Sequence, residues 1–380
     1  MRVTPPHSPK KRSAHRQQVR LSKSVLYSLR LLILGVGIGA LAGTLLSIFD
    51  PTNRVTGLSP QVGVQRAQQK LAISGAEHES GLKLSQEIVP LKTALQQLAA
   101  KNAGLVPGVF FVEPNTGAYV ELNGTSTFAS ASMIKFPVLV AFFQDVDAGK
   151  IRLDEMLTLN QQMIGGGSGD MQYQHLGTKF TALETATKMI TISDNTATNM
   201  LIARLGGAAA LNQRFQSWGL TVTEIRNSLP DLLGTNTTSP RDLANLMALV
   251  NQGDLISLRA RDRLLDIMRH TTIDTLLPRG LGQGTKIAHK TGDIGSLVGD
   301  VGLVDTPSGK RYIAVAMVKR PHNDSRAQEL IRQISRATYQ VFNQPVASKS
   351  TPTNIPGVVT QVGATTIVSP NKYLIPTGAH

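Results

Sequence analysis

Strand-forming segments stand at both ends of a long helical stretch, and this arrangement limits the possible folds more than any other feature of the chain. Near the front, GVFFVEPNTGAYVEL, from Gly108 to Leu122, places branched and aromatic residues on either side of Asn115-Thr116-Gly117 and reads as a hairpin. Near the back, from Thr285 to Lys319, the segments KIAHKTG, SLVGDVGLVD and KRYIAVAMVKR read as three short strands, the last two joined by Thr306-Pro307-Ser308-Gly309. Between these ends, from Ser132 to about His270, apolar residues recur at helical spacing with loop interruptions. Strands that distant in sequence can share a sheet if the helices pack beside it. The expected class is therefore α/β in the α+β sense: one antiparallel sheet built from both ends, flanked by helices, with an all-helical subdomain. Amphipathic helices at Ser85 to Asn102 and Ser325 to Asn343 open and close this domain, giving it the bounds 85–343.

The flanks differ in character. Of the formal charge of +14, the segment 1–30 supplies eight positive residues and no acidic ones, and the tail from Gln344 supplies Lys349 and Lys372. Subtracting those eight and two leaves +4 for everything between, so a nucleic-acid partner is not expected. Leu31 to Phe49 is a 19-residue run without a charge, close to the roughly 20 residues that a spanning helix needs. Basic residues before it and Asp50 after it predict a single-pass anchor in the plasma (inner) membrane. The basic segment 1–30 would then be cytoplasmic and the folded domain extracytoplasmic or periplasmic. A signal peptide cleaved after the Ala40-Leu41-Ala42 stretch is the competing reading. Gly35, Gly39 and Gly43 could pair such helices, or simply reflect membrane-helix composition. Residues 50–84, rich in polar residues, Gly and Pro, read as a tether, and 344–380 as a flexible tail. The chain has no cysteine, which excludes disulfides, thiolate metal sites and a cysteine nucleophile.

FASASMIKFP, Phe128 to Pro137, sets Ser132 one helical turn before Lys135. A serine nucleophile needs a base, and a lysine can be that base only when burial or a neighbouring cation keeps it neutral. Met133, Ile134, Phe136 and the VLVAFF run beyond would supply burial. Two other S-x-x-K matches, Ser8 with Lys11 and Ser80 with Lys83, show that spacing alone decides nothing. The distinguishing context is downstream: Ser193-Asp194-Asn195 between expected helices, then Lys290-Thr291-Gly292 on an expected strand. Taken singly, these residues could be a helix cap, a solvated strand end and a helix N-terminus.

With S-x-x-K, the S-D-N and K-T-G tripeptides resemble, in order and in setting, the three signature elements of the penicillin-recognising serine enzymes. Ile164 to Ile202 and Met268 to Gly292 likewise resemble class A β-lactamases, and the resemblance covers about Ser85 to Asn343. It implies a β-lactamase/transpeptidase-like fold and no cofactor or metal. It further implies that Ser132 attacks a carbonyl, Lys135 accepts its proton and Ser193 passes a proton to the leaving nitrogen. Asn195 would hold the substrate amide, Lys290 would supply positive charge and Thr291 would bind a carboxylate. Gly292 completes the strand motif, and the N–H groups of Ser132 and Asp293 would form the oxyanion hole.

Two departures matter. Class A β-lactamases activate their deacylating water with a glutamate in an R-x-E-x-x-L-N loop. The corresponding segment here, Leu220 to Pro240, is shorter and lacks that motif. Leu229 is expected where the glutamate would lie, and Glu224 and Asp231 are the segment's only carboxylates. No arginine occurs between Thr291 and Gly309 to hold a carboxylate, although Arg279 could reach in from the preceding loop. An enzyme that acylates but lacks the deacylating base is inhibited by penicillin. The chain therefore resembles more closely the membrane-anchored penicillin-binding D-alanyl-D-alanine peptidases, whose substrate is the stem peptide of peptidoglycan and which β-lactams acylate. A class A β-lactamase with an atypical deacylating group is the second reading. A non-catalytic β-lactam or muropeptide sensor is the third.

Overall fold

The structure is a computed structural model that describes residues 81–344. The expected cytoplasmic segment and membrane span lie outside those residues, as do the tether and tail apart from a few residues at their inner ends. No helix among the described residues is long and apolar enough to cross a membrane.

The expected sheet forms from both ends of the domain. Strands β1 (Val106–Val112) and β2 (Tyr119–Leu122) come from the front, and β7 (Lys286–Ile294), β8 (Leu297–Asp305) and β9 (Arg311–Lys319) from the back. They pair antiparallel in the order β2-β1-β9-β8-β7, with Phe110 opposite Val315 and Val301 opposite both Lys290 and Val315. Every residue of β8 but the last is buried, so its sequence does not alternate between apolar and polar: both faces of the sheet are covered. The period of two survives in which core each residue joins. Val109 and Phe111 pack with Leu91, Leu95, Leu330 and Ile334 of helices α1 (Val89–Ala100) and α8 (Arg326–Phe342). Phe110 and Val112 instead face the helical subdomain.

At the centre of that subdomain lies α2 (Lys135–Asp147), buried at every position from Lys135 to Phe143. A helix that is apolar on all sides is stable only when enclosed. Helices α3 (Ala182–Thr191), α4 (Asn195–Arg204), α5 (Gly207–Ser217), α6 (Pro240–Gln252) and α7 (Leu258–Arg269) complete the subdomain. Short strands β3 (Phe128–Ala129) and β6 (Thr237–Thr238) pair below Ser132, while β4 (Met156–Thr158) pairs with β5 (Lys179–Thr181).

The first helix begins at Val89 rather than Ser85. Pro90 sits in its first turn, where a missing N–H leaves no bond unmade. Residues 85–88 are instead claimed by the sheet: the Ser85 N–H donates to the Gly117 carbonyl at 2.8 Å and the Ile88 N–H to the Tyr119 carbonyl at 2.7 Å.

Candidate active site

Ser132 lies in a single 3₁₀ turn, Ala131–Ile134, that feeds directly into α2 at Lys135. Ala131 has φ 44°, in the left-handed region, which costs an L-residue about 1–2 kcal/mol. The turn is held by the Ser130 N–H, which donates to the Asn236 carbonyl at 2.7 Å, and by the edge strand β7. A Cβ on Gly292 would lie 3.0 Å from both the Ser132 N and the Ala131 Cβ, so only glycine lets the strand approach this closely. The glycine of K-T-G thus sets the distance between the strand and the serine.

The other wall is the break between α3 and α4. Ser193 has φ 57°, again left-handed, and the buried Asp194 carboxylate fixes the break by accepting the Ala197 N–H at 2.8 Å and the Met171 N–H at 2.9 Å. Its aspartate is therefore structural, a helix cap tied to the 164–173 loop. Asn195 donates through Nδ2 to the Gly166 carbonyl at 2.8 Å, which aims its Oδ1 inward.

Between the walls the Lys135 ammonium donates to Ser132 Oγ at 3.1 Å, to Ser193 Oγ at 3.0 Å, to the Ser193 carbonyl at 2.6 Å and to Asn195 Oδ1 at 2.7 Å. Lys290 Nζ donates to the same Ser193 Oγ at 3.1 Å and to the Thr291 carbonyl at 2.7 Å. Both lysines are fully buried. Burial, followed by the charge of Lys290, pushes Lys135 well below the ordinary lysine range, against a smaller opposing pull from Asp194. Burial lowers Lys290 to about 7, with Asp300 acting in the opposite direction. Ser132, Lys135, Ser193 and Lys290 therefore form one continuous path for protons, ending at a hydroxyl that is partly open to solvent. A neutral Lys135 can take the Ser132 proton, and Ser193 can relay one to a departing nitrogen.

Thr291 lies beside Lys290 on β7 and is 5% exposed. Asp293 lies two residues further on along β7. Its carboxylate accepts from the buried Arg320, which also donates to the Ile294 carbonyl at 3.0 Å. Reading the sequence did not reach Arg320, which follows the last strand. Its one signal was register: Lys319 stands opposite Leu297, and this pairing carries Arg320 to the end of β7. Arg279, in contrast, turns to the exposed Asp274 at 3.3 Å and is not brought to these residues.

Leu229 is 5% exposed, and its backbone is clamped by Asn199, whose Nδ2 donates to the Leu229 carbonyl at 2.8 Å while its Oδ1 accepts the Leu229 N–H at 2.9 Å. Asn199 lies one turn beyond Asn195 on α4. A Cβ on Gly165 would touch the Leu229 carbonyl at 2.4 Å and the Asn195 Cβ at 3.1 Å, so the Leu229 backbone lies beside Asn195 while its side chain joins the core. The two carboxylates of the segment are engaged elsewhere. Glu224 pairs with Arg226 at an exposed position. Asp231 accepts the Asn236 N–H at 2.6 Å and the Thr235 hydroxyl at 2.9 Å, closing its own loop.

Solved structures share this architecture. One described as the structure of PBP-A is 56% identical, with a TM-score of 0.68 over 69% of this chain and 98% of its own. A reconstructed ancestral class A β-lactamase is 28% identical, with a TM-score of 0.62 over 66% of this chain and all of its own. Among curated proteins, Beta-lactamase 3 of Bacillus cereus is 28% identical over 194 residues, which are 49% of this chain and 60% of that protein. Beta-lactamase of Streptomyces cellulosae is 27% identical over 56% of this chain and 72% of its own. The sequence model of the Beta-lactamase enzyme family matches residues 90–342, from the first helix to the last. The chain belongs to that family and is a class A β-lactamase-like serine enzyme.

Proposed function

We propose that this protein is a penicillin-binding D-Ala-D-Ala peptidase, a carboxypeptidase or transpeptidase that works through an acyl-Ser132 intermediate. The observation that carries this reading is Leu229: its backbone lies beside Asn195 through Gly165, and its side chain is apolar and buried, where the resemblance to class A β-lactamases would put a water-activating carboxylate. In the proposed cycle Lys135 takes the Ser132 proton and Ser132 attacks the penultimate carbonyl. The N–H groups of Ser132 and Asp293 receive the oxyanion, and Ser193, in contact with both lysines, protonates the departing D-alanine. Lys290 and Thr291 hold the terminal carboxylate, and Asn195 holds the substrate amide. A β-lactam, whose amide and carboxylate imitate that terminus, would acylate the same serine and leave slowly.

Two further facts favour this reading. The similar structure solved as PBP-A carries a name for a penicillin-binding protein, and a mutant of it with leucine replaced by glutamate is described as an acyl-enzyme complex with penicillin G. The span Leu31 to Phe49 would place the domain outside the membrane, on the side where the cell-wall polymer lies. The β-lactamase reading keeps support from curated relatives named as β-lactamases, among them those of Bacillus cereus, Streptomyces cellulosae and Bacillus licheniformis.

One experiment separates the two. The protein is mixed with fluorescent penicillin and the covalent adduct followed over hours, alongside D-alanine release from an acyl-D-Ala-D-Ala peptide. A lasting adduct with D-alanine release is expected. Rapid loss of label over many turnovers would replace the peptidase by a β-lactamase. Ser132→Ala abolishes labelling if the nucleophile is assigned correctly, and unchanged labelling would overturn it.

A further inference from the structure

Strand β7 is the outer strand of the sheet, and Ser132 lies against it through Gly292. An unpaired strand edge is a template for an extended peptide. The direction of such a peptide follows from the acid that must protonate the departing amine. Ser193 is held by Lys290, so the departing residue and its carboxylate belong beside Lys290 and Thr291. The acylating part then runs the opposite way, past Asp293 and Ile294 toward the β7–β8 turn. At about 3.3 Å per residue, one or two donor residues reach that turn.

A cavity of about 230 Å³ lies there, lined among others by Phe128, Ala129, Leu233, Ser296, Leu297 and Lys319. It adjoins the proposed peptide path: a Cβ on Gly234 would meet Ala129 Cβ at 2.8 Å and Ile294 Cδ1 at 3.1 Å. Phe128 and Leu297 are buried and apolar, while Leu233 is 89% exposed at the rim. Lys319, also exposed, makes no ion pair among the described residues, whereas the adjacent Arg320 is neutralised by Asp293. The lining thus combines an apolar strip of Phe128, Leu233 and Leu297 with the hydroxyls of Thr127 and Ser296, and Lys319 stands at its edge as the one cation among its lining residues.

We propose that this cavity is a donor-side subsite for an alkyl side chain ending in a carboxylate, carried within two residues upstream of the acylated one. The alkyl arm lies along Phe128, Leu233 and Leu297, and the carboxylate meets Lys319. This rests on the acyl-Ser132 reading but adds the chemistry of the donor.

The test compares rates of acylation of the full chain by two probes. Both are 6-aminopenicillanic acid derivatives, one acylated with adipic acid, leaving a free terminal carboxylate, the other with hexanoic acid. The adipoyl probe is expected to react about fivefold faster, the effect of one partly screened ion pair. In Lys319→Gln the ratio falls to one, and in Lys319→Glu it inverts. Equal rates in the unaltered chain, or a preference that persists in Lys319→Gln, overturn the subsite. D-alanine release is followed in parallel to keep the two ideas apart. Adipoyl preference without release from any D-Ala-D-Ala peptide sinks the peptidase and leaves the subsite standing. Release without preference sinks the subsite alone, and no acylation by either probe removes both.

Discussion

Two lysines contact one serine hydroxyl, and they need opposite protonation states. Lys135 acts as a base only when neutral, whereas Lys290 assists a carboxylate only when charged. Burial, joined by the charge of Lys290, holds Lys135 well below the ordinary lysine range and so favours its neutral form. Burial lowers Lys290 to about 7. The pH profile of acylation by penicillin is therefore expected to be bell-shaped, rising as Lys135 deprotonates and falling through about 7 as Lys290 does. Stability moves the other way. A lysine held at about 7 in the fold and near 10.5 when unfolded destabilises the fold fully below 7, and stability grows as the pH rises between those values. Lys290→Met should remove the alkaline limb of the profile and flatten that rise in thermal midpoint. A profile unchanged in this variant would detach the limb from Lys290. Leu229 allows a second test on the same scale. Leu229→Glu introduces a carboxylate beside Asn195 and should shorten the lifetime of the penicillin adduct about tenfold or more, at or below the low end of a general base's effect because the shortened loop does not hold it. An unaltered lifetime would mean that the new side chain does not reach the attacking water. These residues were legible in the sequence because S-x-x-K, S-D-N and K-T-G fix chemistry by local spacing. Arg320 was not, since its partner Asp293 is chosen by strand register across 27 positions.

Strand β7 carries both the positive charge and one proposed oxyanion donor, and two contacts hold its end in place. One is Gly292 against the serine turn. Gly292→Ala would push a methyl to 3.0 Å from the Ser132 N, moving strand and turn apart and lowering the acylation rate by about a hundredfold, as loss of one oxyanion donor does. The other is the Arg320–Asp293 pair, whose two members are unequally buried: the Arg320 side chain is 3% exposed and that of Asp293 is 50% exposed. Removing the half-exposed carboxylate leaves a buried cation without its partner, whereas removing the cation leaves an anion that water can reach. Asp293→Ala should therefore lower stability by about 3 kcal/mol, and Arg320→Met, which keeps much of the volume, by less than half of that. Equal losses in denaturant unfolding would show that packing, not charge, governs the pair. Most elements could be read from composition, because branched residues and turn tripeptides mark β1, β8 and β9 directly. The start of α1 could not: residues 85–88 have helical spacing, but Gly117 and Tyr119 offer them backbone partners. The paired cores on the two faces of the sheet were likewise invisible, since an all-buried strand shows no alternation.

Over the whole molecule, positive charge is concentrated at one end. The first thirty residues contribute eight cations, while everything between them and the tail nets +4. This asymmetry around the uncharged run Leu31 to Phe49 is what orients a single-pass protein, because basic flanks stay on the cytoplasmic side. The proposed chemistry demands the same orientation, since the stem peptide and its D-Ala-D-Ala end lie beyond the membrane. The charge distribution and the proposed substrate would therefore put the family domain on the same side, which we propose is the outer one. The prediction is that the full chain stays with membranes through alkaline carbonate extraction, and that a membrane-impermeant fluorescent penicillin labels Ser132 in intact cells or spheroplasts. Replacing Lys10, Lys11, Arg12, Arg16 and Arg20 with glutamine should weaken that orientation and reduce surface labelling, while labelling in detergent extracts stays the same. Release by carbonate with a shortened N-terminus would instead identify Leu31 to Phe49 as a cleaved signal segment. Membrane retention with labelling only after lysis would put the domain on the cytoplasmic side, where a peptidase of the mature cell wall has no substrate.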